Sequence, residues 1–493
     1  MTPRGPNNRT RYRAVLAVAA TLVALPACRH DRPAIAPPVA LPRSRPAADA
    51  AWGPRWWTAF NDAQLNASVD RALRENFTLR TAWDRLDQAR ATASKSSASL
   101  WPALDASGGA RRTVTHTAGP AGGTAYATEL SLGLSASYEA DLWGRIRSTV
   151  DAARLDADAS EADLHTAAIT LAADIARTWF RLIEQHGQRA LLDEQLRTNE
   201  TFLEVVTVRF RQGQVAATDV LQQRELVEQT RGRLQQVAAT IAVLEHQLAV
   251  LTARRPGAYR PDVPDALPQR PPLPDGGVPV GLIRRRPDVR AAERRIQAAD
   301  QRVWAAIADQ YPKLRLTGSA ETSAEQLRDL FDNWLASIAA NLTAPLLDAG
   351  LRAAEVERTR AVLSERINTY GKTLLAALGE AQDALAREAR QAAYVASLTE
   401  QLALSRAAAE QTRQQYIKGR ADFTRYLTTR LSYQQLQRTV LEARRQLLGH
   451  RIDLYRALGR GWSLPRPPRA TVSGETDEPS SAAFRPTTRS HAR

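Results

Sequence analysis

The chain has almost no sulfur. Its 493 residues include one cysteine, Cys28, and one methionine. A single cysteine excludes an internal disulfide framework and every zinc site built from several thiolates. The seven histidines lack metal-ligand spacing, and the glycine-rich stretch 119–123 lacks the lysine of a phosphate loop. No nucleophile–base pair presents itself, so we expect no catalytic residue, no metal and no cofactor, and predict that the protein is not an enzyme.

Proline is absent from two long stretches. The chain has 27 prolines, but none lies in residues 121–255 and none in 346–464. Proline inside a helix costs about 3 kcal/mol, so both stretches can be almost continuous helix. A helix from Arg145 to Arg211 would be about 100 Å long. That length exceeds a compact domain and predicts rods.

Lysine is scarce, and the excess of positive charge lies mostly at the two ends. The formal net charge is +15, yet only four residues are lysine. Residues 1–50 carry eight arginines against two acids and residues 460–493 carry six against three, which leaves +6 for the body between them. Charges of both signs are interspersed there, so we expect no nucleic-acid partner. The run Arg284–Arg286 is expected to be a solvated loop face.

The chain does contain a long internal repeat. Residues 129–252 and 335–458 match as two copies of one unit, offset by 206 positions without an insertion. Gly144 falls on Gly350, and Gly213 falls on Gly419. Upstream, the segment that begins at Trp101 resembles the segment that begins at Tyr311. A duplication of this length predicts a pseudo-symmetric architecture.

Each copy begins with segments in which apolar and polar residues alternate. Residues 130–138 and 336–342 have a period of two, and partner segments begin at Leu104 and Leu314. Stretches rich in glycine, serine and threonine, residues 108–128 and 318–325, are expected to connect the partners. Strands of roughly 9–11 residues with one apolar face suit a tilted membrane barrel, although a small soluble sheet gives the same pattern. Four strands cannot close a barrel of useful bore, so a barrel requires an oligomer.

The proline-free stretches carry a coiled-coil signal. Apolar residues follow a 3–4 spacing from Leu234 to Leu251, and Val440, Leu447 and Leu454 repeat at seven. This period predicts left-handed supercoiling of long helices. An ordinary bundle core shows similar spacing, but the duplication and the strand pairs favour rods.

The N-terminus is predicted to be an export signal. Four arginines precede the apolar run 14–25, which is too short to span a bilayer and suits a signal-peptide core. The run ends at Leu25-Pro26-Ala27-Cys28, which resembles the lipobox of bacterial lipoproteins. Cys28 is therefore the predicted lipid-attachment residue, and an incidental thiol is the alternative. The expected organisation is a signal peptide (1–27), a lipidated tether (28–50), a first repeat (51–255), a proline-rich connector (256–287), a second repeat (288–462) and a disordered tail (463–493).

Four motifs in order carry a family resemblance. The most specific is Tyr-Glu-Ala-Asp-Leu-Trp-Gly-Arg at residues 138–145, and the next is residues 285–293, which lead to Tyr311-Pro312. The opening 56–65 and the closing 457–462 complete the set. With these motifs the chain resembles the TolC-type outer-membrane efflux factors, in particular their NodT-like lipoprotein branch.

The resemblance implies a mainly α-helical, internally duplicated protein with a small β-barrel part. Three protomers of four strands would build a 12-stranded outer-membrane β-barrel, continued by a long periplasmic coiled-coil barrel of α-helices. The implied partners are two further copies of the chain, outer-membrane lipid, a periplasmic adaptor (membrane fusion protein) and an inner-membrane pump of the RND type. The implied location is the outer membrane, with a lipid anchor.

The resemblance also implies that two helical turns are functional. The turns at 209–220 and 416–427 resemble the tips that seal the tunnel and meet the adaptor, although they could be mere connections. Where the family commonly places a carboxylate near the aperture, this chain has Thr428, with Arg425 nearby, so this position supplies no carboxylate for a cation-focusing ring. The predicted tip and adaptor-contact residues are Arg209, Gly213, Asp219, Tyr416 and Gly419, and the predicted aperture residues are Arg425 and Thr428.

We therefore predict the exit duct of a tripartite efflux pump, which passively conducts drugs or other small solutes. Two alternatives remain open at this point. One is the outer-membrane duct of a type I protein secretion system. The other is a soluble periplasmic coiled-coil scaffold, which high salt would release from membranes without detergent.

Overall fold

The computed structural model describes residues 55–119, 122–272, 283–459 and 462–467. The predicted signal peptide, Cys28 and the tether lie outside these residues, and so does the tail beyond residue 467. The domain boundaries inferred above stay predictions.

The described chain forms long helices and one four-stranded sheet. In order, the elements are a 3₁₀ turn (Trp56–Phe60), α1 (Ala63–Glu75), α2 (Phe77–Ala98), β1 (Ala103–His116), β2 (Thr124–Ala140), α3 (Arg145–Arg211), α4 (Ala217–Leu251), α5 (Pro287–Ala308), β3 (Lys313–Ala324), a 3₁₀ turn (Leu327–Asp329), β4 (Trp334–Thr343), α6 (Leu351–Ile417) and α7 (Phe423–Leu458).

The two longest helices confirm the predicted rods and the duplication. α3 and α6 have 67 residues each. Each starts after a glycine in the left-handed region, Gly144 at φ 78° and Gly350 at φ 85°, a conformation that glycine adopts without a steric penalty. Asp141 accepts hydrogen bonds from the first N–H groups of α3. At the start of α6, Asp348 accepts hydrogen bonds from the backbone N–H groups of Gly350 and Arg352. A carboxylate beside free N–H groups stabilises a helix start, which explains the spacing of this motif.

The sheet is antiparallel in the order β1-β2-β3-β4, and its first hairpin is longer than the sequence predicted. The stretches 108–128 and 318–325, predicted to be connections, lie mostly in strands: the first in β1 and β2, the second in β3. Gly108, for example, pairs with Leu132, and His116 pairs with Thr124. The prediction was wrong because glycine and serine resemble loop residues locally, whereas pairing with a neighbouring strand determines strand length.

The main hydrophobic core lies beside α3. Trp57, Phe60 and Leu65 pack against Trp179 and Phe180 of α3 there. The Asp62 carboxylate caps α1 and accepts a hydrogen bond from the Trp179 indole N–H at 2.6 Å. Two segments with little regular structure close this core from outside.

The first of these segments is the described part of the connector. Arg260 of the connector forms an ion pair with Glu245 of α4. Further along, the buried pair Arg451–Glu388 joins α7 to α6, and Arg451 also donates to the carbonyl oxygens of Pro271 and Pro272. The connector is thus attached to both repeats.

The second segment is the start of the tail, which was predicted to be disordered from residue 463. Instead, residues 462–467 pack on the helical body. The Trp462 ring lies 5.2 Å from that of Trp57, and Arg466 forms an ion pair with Asp87 of α2. Leu464 also packs against the core.

The prediction of a solvated arginine run is wrong for Arg286. This side chain is buried, and it donates hydrogen bonds to the carboxylates of Asp288 and Glu380 and to the Ala457 carbonyl oxygen. Its charge tolerates burial because two carboxylates and the last turn of α7 satisfy the guanidinium.

Candidate channel wall and helical tips

One face of the sheet is apolar. Along β2, Leu132 and Leu134 alternate with Ser131, Gly133 and Ser135. β4 repeats the pattern, and Ile338 is 93% exposed in the single protomer. The opposite face carries mainly serine, threonine and charged residues. An apolar face of this extent on a soluble chain requires a cover, and a bilayer with an aqueous lumen on the other side supplies one.

Aromatic side chains lie at both ends of the sheet. At the helical end, the Trp143 indole donates to the Pro312 carbonyl oxygen at 2.7 Å and stacks on Tyr311 at 5.0 Å. At the far end, Tyr126 and Trp334 are exposed. Girdles of this kind mark the two interfaces of membrane barrels.

The two turns at the opposite end of the long helices contain the predicted tip glycines. Gly213 has φ +70° and Gly419 has φ +69°, and no atom lies within 4 Å of a Cβ built on either. Both turns are therefore open to the surroundings, and the left-handed backbone, rather than crowding, explains each glycine.

An aromatic cluster joins the two tips within one protomer. Phe202 of α3 stacks on Tyr426 of α7 at 4.2 Å, and Tyr416 and Phe423 complete the cluster. Arg209 donates to the carbonyl oxygens of Tyr416 and Ile417 at 3.2 and 2.9 Å. Its guanidinium also lies 4.7 Å from the Tyr416 ring centroid, so Arg209 caps the end of α6 and stacks on its last aromatic residue.

Burial sets the chemistry of this cluster. Desolvation raises the pKa of Tyr416 and of Tyr426, so both phenols stay neutral at physiological pH. Beside it, hydrogen bonds from Arg413 and Gln414 lower the pKa of Glu410 to about 2. These three groups therefore keep their charge between neutral and mildly acidic pH.

Of the remaining predicted residues, Arg425 and Thr428 are exposed and Asp219 is half-buried. Asp219 lies in the first turn of α4. Arg425 lies in the first turn of α7, where the Asp422 carboxylate accepts its backbone N–H at 2.7 Å. The Thr428 hydroxyl donates to the Thr424 carbonyl oxygen, one turn earlier, at 2.9 Å. The structure thus brings Arg209 and Tyr416 into contact and leaves Asp219, Arg425 and Thr428 free to meet other chains.

Phe202 and Phe423 were not predicted from the sequence to be tip residues. A signal was present, because aromatic residues make up only 6% of the chain and these two flank the glycine turns. It could not be interpreted, because Phe202 and Phe423 are distant in sequence and meet only when the two hairpins pack together.

Comparison with known proteins agrees with this architecture. The chain is 31% identical over 434 residues to the pyoverdine export outer membrane protein OpmQ of Pseudomonas aeruginosa. This alignment covers 84% of this chain and 88% of OpmQ. A solved structure of CusC, a protein that forms a transmembrane channel, superposes with a TM-score of 0.79 at 25% identity, and the match covers 88% of this chain and 99% of CusC. The outer-membrane channel OprN gives the same score and identity and covers 89% of this chain and all of OprN (100%).

The fold and the four-stranded sheet with its apolar face together define an outer-membrane channel protein of the TolC type. The family model for outer membrane efflux proteins matches residues 68–254 and 278–460. The chain belongs to the outer membrane efflux protein family. This family consists of ducts and is not an enzyme class.

Proposed function

We propose that the protein is the trimeric outer-membrane exit duct of a tripartite efflux pump and conducts drugs or other small solutes passively. One observation carries the proposal: a sheet with an apolar face and two unpaired edges continues directly into helices about 100 Å long. The sheet suits the membrane, and the helices suit a duct across the periplasm.

The unpaired sheet edges support a trimer. β1 and β4 lie at the edges of the sheet, so each leaves a row of backbone N–H and C=O groups without strand partners. Backbone groups in a bilayer must pair, and this requires a closed barrel. Three copies supply twelve strands, which enclose a lumen wide enough for solutes.

The tips support a gated end. The aromatic cluster and Arg209 hold the two hairpins of one protomer together, and opening requires these contacts to separate or to move as one body. An adaptor would meet the exposed parts of the turns, around Gly213, Asp219 and Gly419. Tyr416 is only 3% exposed, so we assign it to the internal packing of the tip and not to the adaptor surface.

Arg425 and Thr428 are proposed to line the aperture. Three arginines near a common axis would repel cations, and salt would screen that effect over about 8–10 Å. Arg425→Asp should raise the cation conductance in planar bilayers, most at low ionic strength. An unchanged conductance would remove Arg425 from the aperture.

The lipid anchor at Cys28 is a separate part of the proposal. One acyl chain gives marginal membrane binding and several give stable anchoring. Mass spectrometry of the mature N-terminus should find a modified Cys28 as the first residue. Cleavage elsewhere, or an unmodified thiol, would refute the anchor and leave the duct intact.

The duct itself is tested by two charges on adjacent residues of β2. Leu134→Lys places a charge on the lipid face and should cost roughly 2–4 kcal/mol near the midplane. Ser135→Lys places the same charge on the lumen face and should be tolerated. We expect Leu134→Lys to abolish outer-membrane assembly and efflux of a fluorescent dye, and Ser135→Lys to preserve both. Equal behaviour of the two variants would contradict the membrane assignment, and release of the unaltered protein by high salt alone would favour a soluble scaffold.

A further inference from the structure

We infer that Arg112, with Thr128 and Tyr126 beside it, binds a phosphate group carried by a lipid of the outer leaflet. This inference rests on the membrane duct proposed above and names the class of lipid that its outer wall holds. The site lies on the apolar face of the sheet, close to the hairpin that joins β1 to β2.

The two faces of the sheet differ in charge. The four strands contain eight aspartate, glutamate, lysine or arginine residues, and successive residues of a strand face opposite sides. The pairing register places seven of the eight on the lumen face, in the rows that contain Ser135. Arg112 alone lies on the apolar face, where the next pair in its row is Ala110 with Leu130. The seven lumenal residues are Asp105, Arg111, Glu129, Glu139, Lys313, Arg315 and Glu321.

Arg112 has no counterion among the residues that the structure describes. Its side chain is exposed, and its guanidinium contacts the Tyr126 ring, whose centroid is 5.6 Å away, rather than a carboxylate. Thr128 is the residue directly opposite on β2. Charged residues that face lipid are rare and call for a partner of opposite charge. The counterion of Arg112 therefore comes from outside the described chain.

The depth of Arg112 along β1 identifies the leaflet. Leu104 begins the apolar row of β1 at the helical end of the sheet, and Arg112 follows eight residues later. Eight residues of an antiparallel strand span about 27 Å, which is about 19–22 Å along the membrane normal at a tilt of 35–45°. The apolar band of a membrane barrel is about 25 Å tall. Arg112 therefore lies near the boundary of the leaflet farther from the helices, which is the outer leaflet.

The side chain of Arg112 is directed toward the lipid headgroups. Tyr126 pairs with Val114, one row farther from the helices than Arg112, so the contact with the Tyr126 ring shows that the guanidinium leans outward. Long cationic side chains commonly cross apolar surface in this way, with the charge at the polar boundary. The Tyr126 ring holds the cation there through a cation–π contact.

The donors at this position suit a lipid phosphate. A guanidinium can donate two parallel N–H bonds to a phosphate, and basic side chains at a membrane surface bind the charged headgroups of lipids. The Thr128 hydroxyl, opposite Arg112, supplies a further donor on the same face. Because no acid lies on this face of the four strands, nothing there repels an anion. The lipid chains would lie along the leucines nearer the helices, on the same face.

Two adjacent arginines of β1 supply a matched test. Arg112→Gln and Arg111→Gln each remove one positive charge, but Arg111 lies on the lumen face, opposite Glu129. Native mass spectrometry of the full protein in detergent counts the protomers and the bound lipids in one spectrum. The probe is diphosphoryl lipid A at increasing concentration, and inorganic phosphate is the competitor in parallel samples.

We expect the unaltered protein and Arg111→Gln to bind lipid A equally, and Arg112→Gln to bind it about tenfold more weakly, because a charge-assisted hydrogen bond to the phosphate is lost. Arg112→Lys should bind more tightly than Arg112→Gln, because it keeps the charge without the paired donors. Inorganic phosphate at the concentration of the lipid should not displace it, because the free ion lacks the acyl chains.

Equal lipid binding by Arg112→Gln and Arg111→Gln, in a protein whose mass is that of a trimer, would overturn the lipid site and leave the duct standing. Displacement of the lipid by inorganic phosphate would indicate a site for free anions and overturn the lipid assignment. Loss of the trimer in Arg112→Gln alone, with lipid binding unchanged, would make an acid of a neighbouring copy the counterion and also overturn it. A monomer in the unaltered protein would overturn the duct itself.

Discussion

The first and second repeats contain helices of equal length with very different surroundings. α3 and α6 both have 67 residues and both follow a left-handed glycine. Yet 27 residues of α3 are buried, against 13 of α6. α3 packs against α1, α2, α4, α5 and α7, whereas the main packing of α6 is against α5 and α7. The duplicated helices are therefore equivalent in geometry and not in role.

This difference indicates which surfaces belong to the protomer and which to the assembly. α3 is the internal axis of one copy. α6 leaves apolar residues such as Leu375 and Leu404 exposed, and neighbouring copies are proposed to cover them. α4 behaves similarly: it is long and apolar enough to cross a membrane by composition, yet most of it is unburied in the single chain. Packing between copies accounts for this surface better than lipid, because α4 carries the coiled-coil spacing.

Trp179 and Leu385 are equivalent under the 206-residue offset. Substitutions at these two positions should show the largest difference in the free energy of unfolding between the repeats. Trp179 is fully buried and bonded to Asp62, whereas Leu385 only borders a small cluster. Trp179→Ala should lower the free energy of unfolding by about 3–5 kcal/mol, and Leu385→Ala by about 1 kcal/mol. Denaturant unfolding in detergent measures both, and equal losses would show that the core is not asymmetric.

Arg451 and Glu245 are a second equivalent pair, and each attaches the connector to its repeat. Arg451→Met should cost up to about 3 kcal/mol, because it leaves the buried Glu388 with Arg270 as its remaining ionic partner. Glu245→Gln should cost less than about 1 kcal/mol, because its partner Arg260 is largely exposed. Adding Glu388→Met to Arg451→Met should recover part of the loss. If the double variant is no more stable than Arg451→Met, burial of the unpaired charge is not the cause.

The tip glycines should respond alike, since here the repeats match. Gly213→Val and Gly419→Val should each strain the turn by about 1–2 kcal/mol without a steric clash. The trimer should persist while dye efflux falls. Gly232→Ala, in the open middle of α4, is the control and should leave efflux intact. Full efflux in both valine variants would show that the conformation of these turns is not required for efflux.

The smallest expected effect is on the pH dependence of stability and involves His165. Its equivalent in α6 is Gly371. Desolvation lowers the pKa of His165, Glu161 raises it less, and Arg290 lowers it further. Because the folded pKa lies below the unfolded value, the unfolded chain binds the proton first, and stability falls as pH drops below about 6.5. His165→Gln should flatten the dependence of melting temperature on pH between 7.5 and 5.5. If melting temperature depended more steeply on pH in His165→Gln, folding would raise the pKa of His165 and not lower it.

The sequence predicted those elements that are determined by residues close together in the chain. α3 was predicted from end to end, because Gly144 and Gly213 bound a stretch without proline. The strands were located by their alternation, but β1 was predicted too short because its glycines resemble a loop. Arg286 was assigned to solvent because its partners Glu380 and Ala457 lie far along the chain. The tip cluster was missed for the same reason. What the sequence could not indicate was which of two equal helices forms the core, because that depends on α1 and α2 packing against only one of them.

The mass of the protein extracted from the outer-membrane fraction tests the central claim most directly. Light scattering in detergent, corrected for bound detergent, counts the protomers in the particle. Three protomers are predicted, because only a closed ring pairs the edges of β1 and β4 and covers the exposed face of α6. A single protomer, particularly one released by high salt without detergent, would contradict the account.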